Sequence, residues 1–116
     1  MAMHIDSYSF GQIVIDARAY TSDVIIYSDR VDAAWWRKEG HRLQPEDIAD
    51  ALNARPEILI IGTGYSGVMT VPKETREYIA SRGIDIIVER TGKAVEVFNS
   101  LQAQNRHVGA ALHLTC

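Results

Sequence analysis

The sequence predicts one α/β domain of three layers, with a parallel βαβαβ unit in its C-terminal half and antiparallel strands at its N-terminus joining it in a mixed sheet. Three observations carry this reading. Ile- and Val-rich runs recur at "QIVI" (12–15), "DVIIY" (23–27), "EILII" (57–61), "IDIIVE" (84–89) and "HVGAALHL" (107–114). The last three are separated by stretches with helical spacing, and strand–helix–strand connections of that length imply parallel neighbours with right-handed crossovers. The chain has 116 residues, 47% of them apolar, which suits a single domain over 1–116 with one core.

The first 36 residues read as short strands of an antiparallel meander, with "TSD" (21–23) as a turn. "RVDAAWW" (30–36) is read as a further strand, followed by "RKEGH" (37–41), a polar loop centred on a glycine. Side chains alternate along an extended chain. Val31, Ala33 and Trp35 then face a core, while Asp32, Ala34 and Trp36 face away from it. A helix over 45–54 starts with Pro45 at its first position and carboxylates in its first turn. Ile48, Ala51 and Leu52 form its apolar stripe, and Pro56 ends it. "PKETREYIASR" (72–82) is the next helix, with Gly83 as its C-cap. Thr91 sits where an N-cap belongs, and Ala94, Val95, Phe98 and Leu101 recur at helical spacing through Gln104.

"ILIIGTGYSG" (58–67) raises the question of a cofactor. Gly62, Thr63, Gly64, Tyr65, Ser66 and Gly67 fit the dinucleotide fingerprint G-x-G-x-x-G. In a dinucleotide site, however, the helix opens inside the motif, so that its first amides meet the pyrophosphate. Here Val68, Met69, Thr70 and Val71 follow Gly67, and Pro72 marks a later start. Glu89 stands where a ribose-binding acid could sit, but the chain is too short for a second mononucleotide half. No cofactor is expected. The stretch is read as a glycine-rich turn at the carboxyl edge of the parallel strands, where α/β proteins keep their sites. With Thr91 on the opposite wall of a small cleft, it is a candidate site for water or a small anion held by loop amides.

Other chemistry is sparse. Ser66 in "GYSG" invites comparison with a nucleophile elbow, but Val68 stands where that motif's second glycine belongs. His4, His41, His107 and His113 show no metal spacing and read as surface or satisfied histidines. Cys116 is the only cysteine, so neither an internal disulfide nor a cysteine metal site can form. No metal site and no catalytic constellation is visible. A net charge of −3 argues against nucleic acid or anionic lipid as partner. The start, "MAMHIDSYSF", has neither the basic segment nor the apolar stretch of a secretory signal, and no apolar run approaches the ~20 residues that span a bilayer. A cytoplasmic location without membrane insertion is expected. Trp36 and Arg37, an aromatic and a cation of the kinds enriched at interfaces, are the candidate surface for a protein partner or for self-association.

Taken together, "WWRKEGH" (35–41), "ILIIGTG" (58–64), "GIDIIVERTGKAVEVFNSL" (83–101) and "RHVGAALHLTC" (106–116) resemble a poorly understood family. It includes the mitochondrial respiratory complex I assembly factor 3 and the adipogenesis-associated domain protein, with many uncharacterised bacterial and archaeal members. The resemblance spans nearly the whole chain. Its most specific elements are Trp35-Trp36-Arg37, Gly62-Thr63-Gly64 and the series Thr91, Ala94, Asn99, Leu101, Arg106. It implies a three-layer α/β sandwich, with no established catalytic residue or cofactor. Family members often carry methionine where this chain has Glu89 and glutamate where it has Gln104. The first departure weakens a shared ribose-binding role for Glu89, and the second removes a carboxylate that could have served as a base. The expectation is therefore a non-catalytic interaction or assembly module. The alternative is a small-ligand binder or enzyme using the loop 62–67.

Overall fold

The computed structural model describes residues 3–116, and Met1 and Ala2 lie outside it. A five-stranded mixed sheet has the order β5-β4-β8-β6-β7. Here β4 is Val24–Ile26, β5 Val31–Asp32, β6 Ile58–Gly62, β7 Asp85–Glu89 and β8 Val108–Leu112. β6 runs parallel to both β7 and β8, and β4 pairs antiparallel with β8. Every residue of β6 and β8 is buried. That is the burial expected of strands covered on both faces, and it explains their unbroken apolar runs.

The antiparallel N-terminus divides between two sheets instead of joining one. β1 (Ile5–Ser9), β2 (Gln12–Ile15) and β3 (Arg18–Tyr20) form a separate three-stranded sheet, while β4 and β5 extend the mixed one. The β2–β3 turn puts Asp16 and Ala17 at φ 49° and 67° without any glycine. Two carboxylates hold it. Asp16 Oδ1 accepts from the His4 amide at 3.0 Å, and Asp6 Oδ2 accepts from the Ala17 amide at 2.6 Å.

Three layers result. Ile58 and Ile60 of β6 face the small sheet and α3 (Thr91–Ala103), meeting Ile5, Ile13, Ile15, Ala94 and Phe98. Leu59 and Ile61 face the other way, toward Leu43, Ile48, Leu52 and Ile79. These belong to the turn Pro45–Ile48, to α1 (Ala49–Asn53), to α2 (Lys73–Ser81) and to the loop before them. Period-2 alternation thus splits the expected single core into two, one on each side of the sheet. α2 begins at Lys73, with Pro72 as its N-cap, and Gly83 follows it at φ +75°. α3 departs from expectation at its start. Arg90 occupies the N-cap, and Thr91 is the first helical residue.

"RVDAAWW" is a strand only over Val31–Asp32. Asp32 Oδ1 accepts from the Ala34 amide at 3.0 Å, which turns the chain and ends the pairing. The two tryptophans still part, Trp35 being 7% exposed and Trp36 75%, but Ala33, expected on the core face with Trp35, is exposed because the strand has already ended. The Trp35 amide donates to the Asp23 carbonyl at 3.1 Å, and its indole Nε1–H to the Asp47 carbonyl at 2.8 Å. Trp35→Ala should leave a cavity and an unpaired Asp47 carbonyl, costing about 3–5 kcal/mol in a denaturant melt. Trp36→Ala should change stability by no more than about 0.5 kcal/mol. Equal losses in both variants would contradict the assignment of only one ring to the core.

Candidate functional site

β6 ends at Gly62 beside Leu112 at the end of β8, so the loop after β6 lies at the carboxyl edge of the parallel strands. Its backbone amides point inward. Thr63 donates to the Glu89 carbonyl at 2.9 Å, Gly64 to Thr91 Oγ1 at 2.9 Å and Tyr65 to the Thr115 carbonyl at 2.8 Å. Val68 donates to the Cys116 carbonyl at 3.1 Å, and Met69 to the Thr63 carbonyl at 3.0 Å. The glycines permit this closeness. A Cβ on Gly62 would lie 2.8 Å from Thr91 Oγ1, and one on Gly64 (φ +110°) 2.6 Å from the Cys116 carbonyl oxygen. Gly67 adopts φ +77°. The loop is a cradle, and residues 115 and 116 of the same chain lie in it.

Thr91 is fully buried and does not cap α3. Its hydroxyl donates to the His113 carbonyl at 2.6 Å while accepting from Gly64, and its own amide donates to the Gly64 carbonyl at 3.1 Å. Direct bonding between Thr91 and the loop takes the space in which a cleft between them was expected. Tyr65, Ser66 and Val68 turn outward. Tyr65 meets Phe10 edge-on, with ring centroids 5.8 Å apart, and both rings are 57% exposed.

Next to the loop lies a buried charged cluster that neither motif nor spacing reveals. His113 directly follows β8, and its amide donates to the Gly62 carbonyl at 3.0 Å. Asp23 directly precedes β4, the antiparallel neighbour of β8, so the register sets it beside His113. Asp23 Oδ2 lies 2.8 Å from His113 Nδ1 and 2.9 Å from Arg37 Nη2, and Oδ1 accepts from the Leu114 amide at 2.7 Å. Arg37 also donates through Nε and Nη2 to the Gly40 carbonyl, and its guanidinium stacks on the Trp35 ring at 4.5 Å. Expected on the surface beside Trp36, Arg37 is instead buried, because Asp23 and Trp35 give its charge a partner and a platform.

Arg37 Nη2 is also 3.0 Å from His113 Nδ1. A ring nitrogen facing a carboxylate carries the proton, so Nδ1–H and Nη2–H converge as donors on one Asp23 oxygen. Arg37 Nη1 and His113 Nε2 are buried with no hydrogen-bond partner among the described residues. The exposed His41 ring stands edge-on to His113, with centroids 5.6 Å apart. Burial pushes the Asp23 carboxyl upward, but the bonds from His113, the Leu114 amide and Arg37 outweigh it and hold it below the ordinary carboxylate range. Among the described residues no group of three or more His, Cys, Asp or Glu side chains could hold a metal, and no helix is long and apolar enough to cross a membrane.

Residues 5–113 match the family described as "Protein of unknown function (DUF498/DUF598)". The chain belongs to the DUF498/DUF598 family. Solved structures with this fold include one named MT938, 26% identical with a TM-score of 0.83 over 99% of this chain and 100% of that one. An outer membrane protein from Bartonella henselae is 26% identical, with a TM-score of 0.85 over 99% and 97% of the two chains. The solution structure of a Mth938-like domain from Bordetella pertussis is 20% identical with a TM-score of 0.69, over 96% and 85%. This DUF498/DUF598 chain thus shares its mixed α/β architecture with Mth938-like domains.

Two outcomes follow from the site's geometry. NAD, NADP and FAD at 1 mM should leave the melting temperature unchanged, because every loop amide from Thr63 to Met69 except that of Ser66 is already engaged. A site with a dissociation constant near 10 μM would stabilise the fold by roughly 2.7 kcal/mol, and a clear upward shift would defeat this account. The second concerns pH. A carboxyl lowered in the folded state contributes stability that is fully present above its unfolded value, about 3.9, and is lost as pH falls through the lower folded value. Acid titration of stability should therefore be shallower in Asp23→Asn than in the parent; parallel curves would mean that Asp23 is not the coupled group.

Proposed function

We propose that this chain is a non-catalytic interaction module that serves the assembly of a respiratory or other membrane-bound complex, as its resemblance to the complex I assembly factors suggests. The observation that carries this reading is the way Trp36 is mounted. It is 75% exposed, yet both its neighbours are pinned: Trp35 by hydrogen bonds to Asp23 and Asp47, Arg37 by Asp23 and Gly40. A large ring on an already ordered backbone loses little conformational entropy when a partner covers it. Tyr65 and Val68 on the loop after β6, and Phe10 edge-on to Tyr65, are further exposed apolar side chains. On this reading the partner is a protein, or a second copy of the chain, met in the cytoplasm, and no cofactor takes part. Deleting the gene in its native host and resolving membrane complexes on native gels tests it. Less assembled NADH-oxidising complex is expected, restored by the parent chain and not by Trp36→Ala. Full restoration by the folded variant, or no change on deletion, would remove the support.

A second reading, small-ligand binding, draws on the unpartnered Arg37 Nη1 and His113 Nε2. Buried donors and acceptors are rarely left unpaired, and a small oxyanion with one hydroxyl could satisfy both. A thermal-shift screen of such anions, repeated on Arg37→Lys, separates this reading from the first.

A further inference from the structure

The five-stranded sheet has two unlike edges. β5 is two residues long, whereas β7 at the opposite edge is a full five. A very short edge strand is one way of blunting an unpaired ladder, and β7 lacks that protection. The register identifies which backbone groups it leaves free. The Asp85 amide donates to the Glu57 carbonyl at 3.0 Å, and the Glu89 carbonyl accepts from the Thr63 amide at 2.9 Å. Residues 85, 87 and 89 therefore turn their peptide groups toward β6. Alternation directs the N–H and C=O of Ile86 and Val88 away from the sheet. Neither residue makes another hydrogen bond among the described residues.

The side chains of β7 are only half covered. Ile87 leans toward the α3 side, and Ile86 and Val88 toward the α2 side. Beside Ile87 runs a groove of about 370 Å³, lined also by Lys93, Glu96, Val97, Ser100 and Leu101. Charge then selects the occupant. Asp85 and Glu89 are exposed at the two ends of the strand, and neither has an ion-pair partner among the described residues. The nearby Arg90 side chain lies along Gly67 instead, with Cγ 3.1 Å from where a Cβ on that residue would stand. A second copy paired antiparallel about Ile87 would set each Asp85 against the other copy's Glu89. Like charges directly opposite are destabilising.

We propose that β7 is a docking edge for an extended segment of another protein with the pattern basic, three apolar residues, basic. Paired antiparallel, its outer apolar residues stand opposite Val88 and Ile86 and bond to their free peptide groups. The central one stands opposite Ile87 and enters the α3 groove. The basic residues meet Glu89 and Asp85. Main-chain bonds supply affinity, while the groove and the acids supply selectivity. This edge is remote from Asp23 and Trp36, so it stands or falls apart from the reading given above.

The test is an NMR titration of the isotope-labelled chain with a capped peptide K-V-I-V-K and with its counterpart E-V-I-V-E. The basic peptide should shift the Ile86 and Val88 amides and slow their hydrogen exchange, and should bind roughly tenfold more tightly than the acidic one. The double variant Asp85→Lys/Glu89→Lys, altered only at exposed positions, should reverse that preference, and Trp36→Ala should leave it unchanged. No response at Ile86 and Val88 to either peptide at millimolar concentration would overturn the proposal. A concentration-dependent dimer mapping to the same two amides would overturn it as well, because the occupant would then be a second copy.

Discussion

One oxygen atom joins the ends of all three parallel strands. Thr91 Oγ1 sits at the start of the helix after β7, accepts from the Gly64 amide beyond β6 and donates to the His113 carbonyl beyond β8. A buried hydroxyl that satisfies one donor and one acceptor is favourable, whereas each group left unpaired by its loss would cost about 1–3 kcal/mol. The rest of the edge is arranged around this contact. Gly62 is glycine because Thr91 lies against it, and Gly64 because residues 115 and 116 cross above it. The pattern that fits a dinucleotide fingerprint is produced by close approach of the chain to itself.

The Asp23–Arg37–His113 cluster extends the same clasp toward β4. His113 belongs to both: its carbonyl and amide bind Thr91 and Gly62, and its ring binds Asp23. Asp23 in turn holds the Leu114 amide, so a charged network anchors the segment that leads into the glycine cradle. Two consequences point in different directions. Inward, the edge is densely bonded; outward, it displays Trp36, Phe10 and Tyr65 on backbone that is already ordered. The proposed partner-binding role draws on this contrast between a bonded interior and an exposed aromatic exterior.

Much of the fold is legible because Ile and Val runs and helical spacing are local signals. Trp35 and Trp36 part as expected, yet the strand stops at Asp32 and Ala33, expected beside Trp35, is exposed. β1 and β3 are illegible because they are short and largely polar, and because carboxylates, not glycine, hold the turn between β2 and β3. Thr91 is ambiguous for a physical reason: a hydroxyl at a helix start serves equally as a cap or as a cross-strand tie, and only the neighbouring strand ends decide. Arg37 reads as exposed because the polar side chains that receive it, Asp23 and His113, come from two other strand ends, His113 lying 76 residues away. The cluster depends on the β4–β8 register, which no local pattern encodes.

Amide hydrogen exchange through residues 63–69 reports whether the loop's donors are engaged by the chain itself. Slow exchange is expected at Gly64, Tyr65, Val68 and Met69, with Ser66, whose amide has no partner among the described residues, exchanging fast. Thr91→Val should accelerate exchange at Gly64 selectively. Uniformly fast exchange across the loop, in a chain whose β6 and β8 amides remain protected, would instead show an open cradle that residues 115 and 116 do not fill.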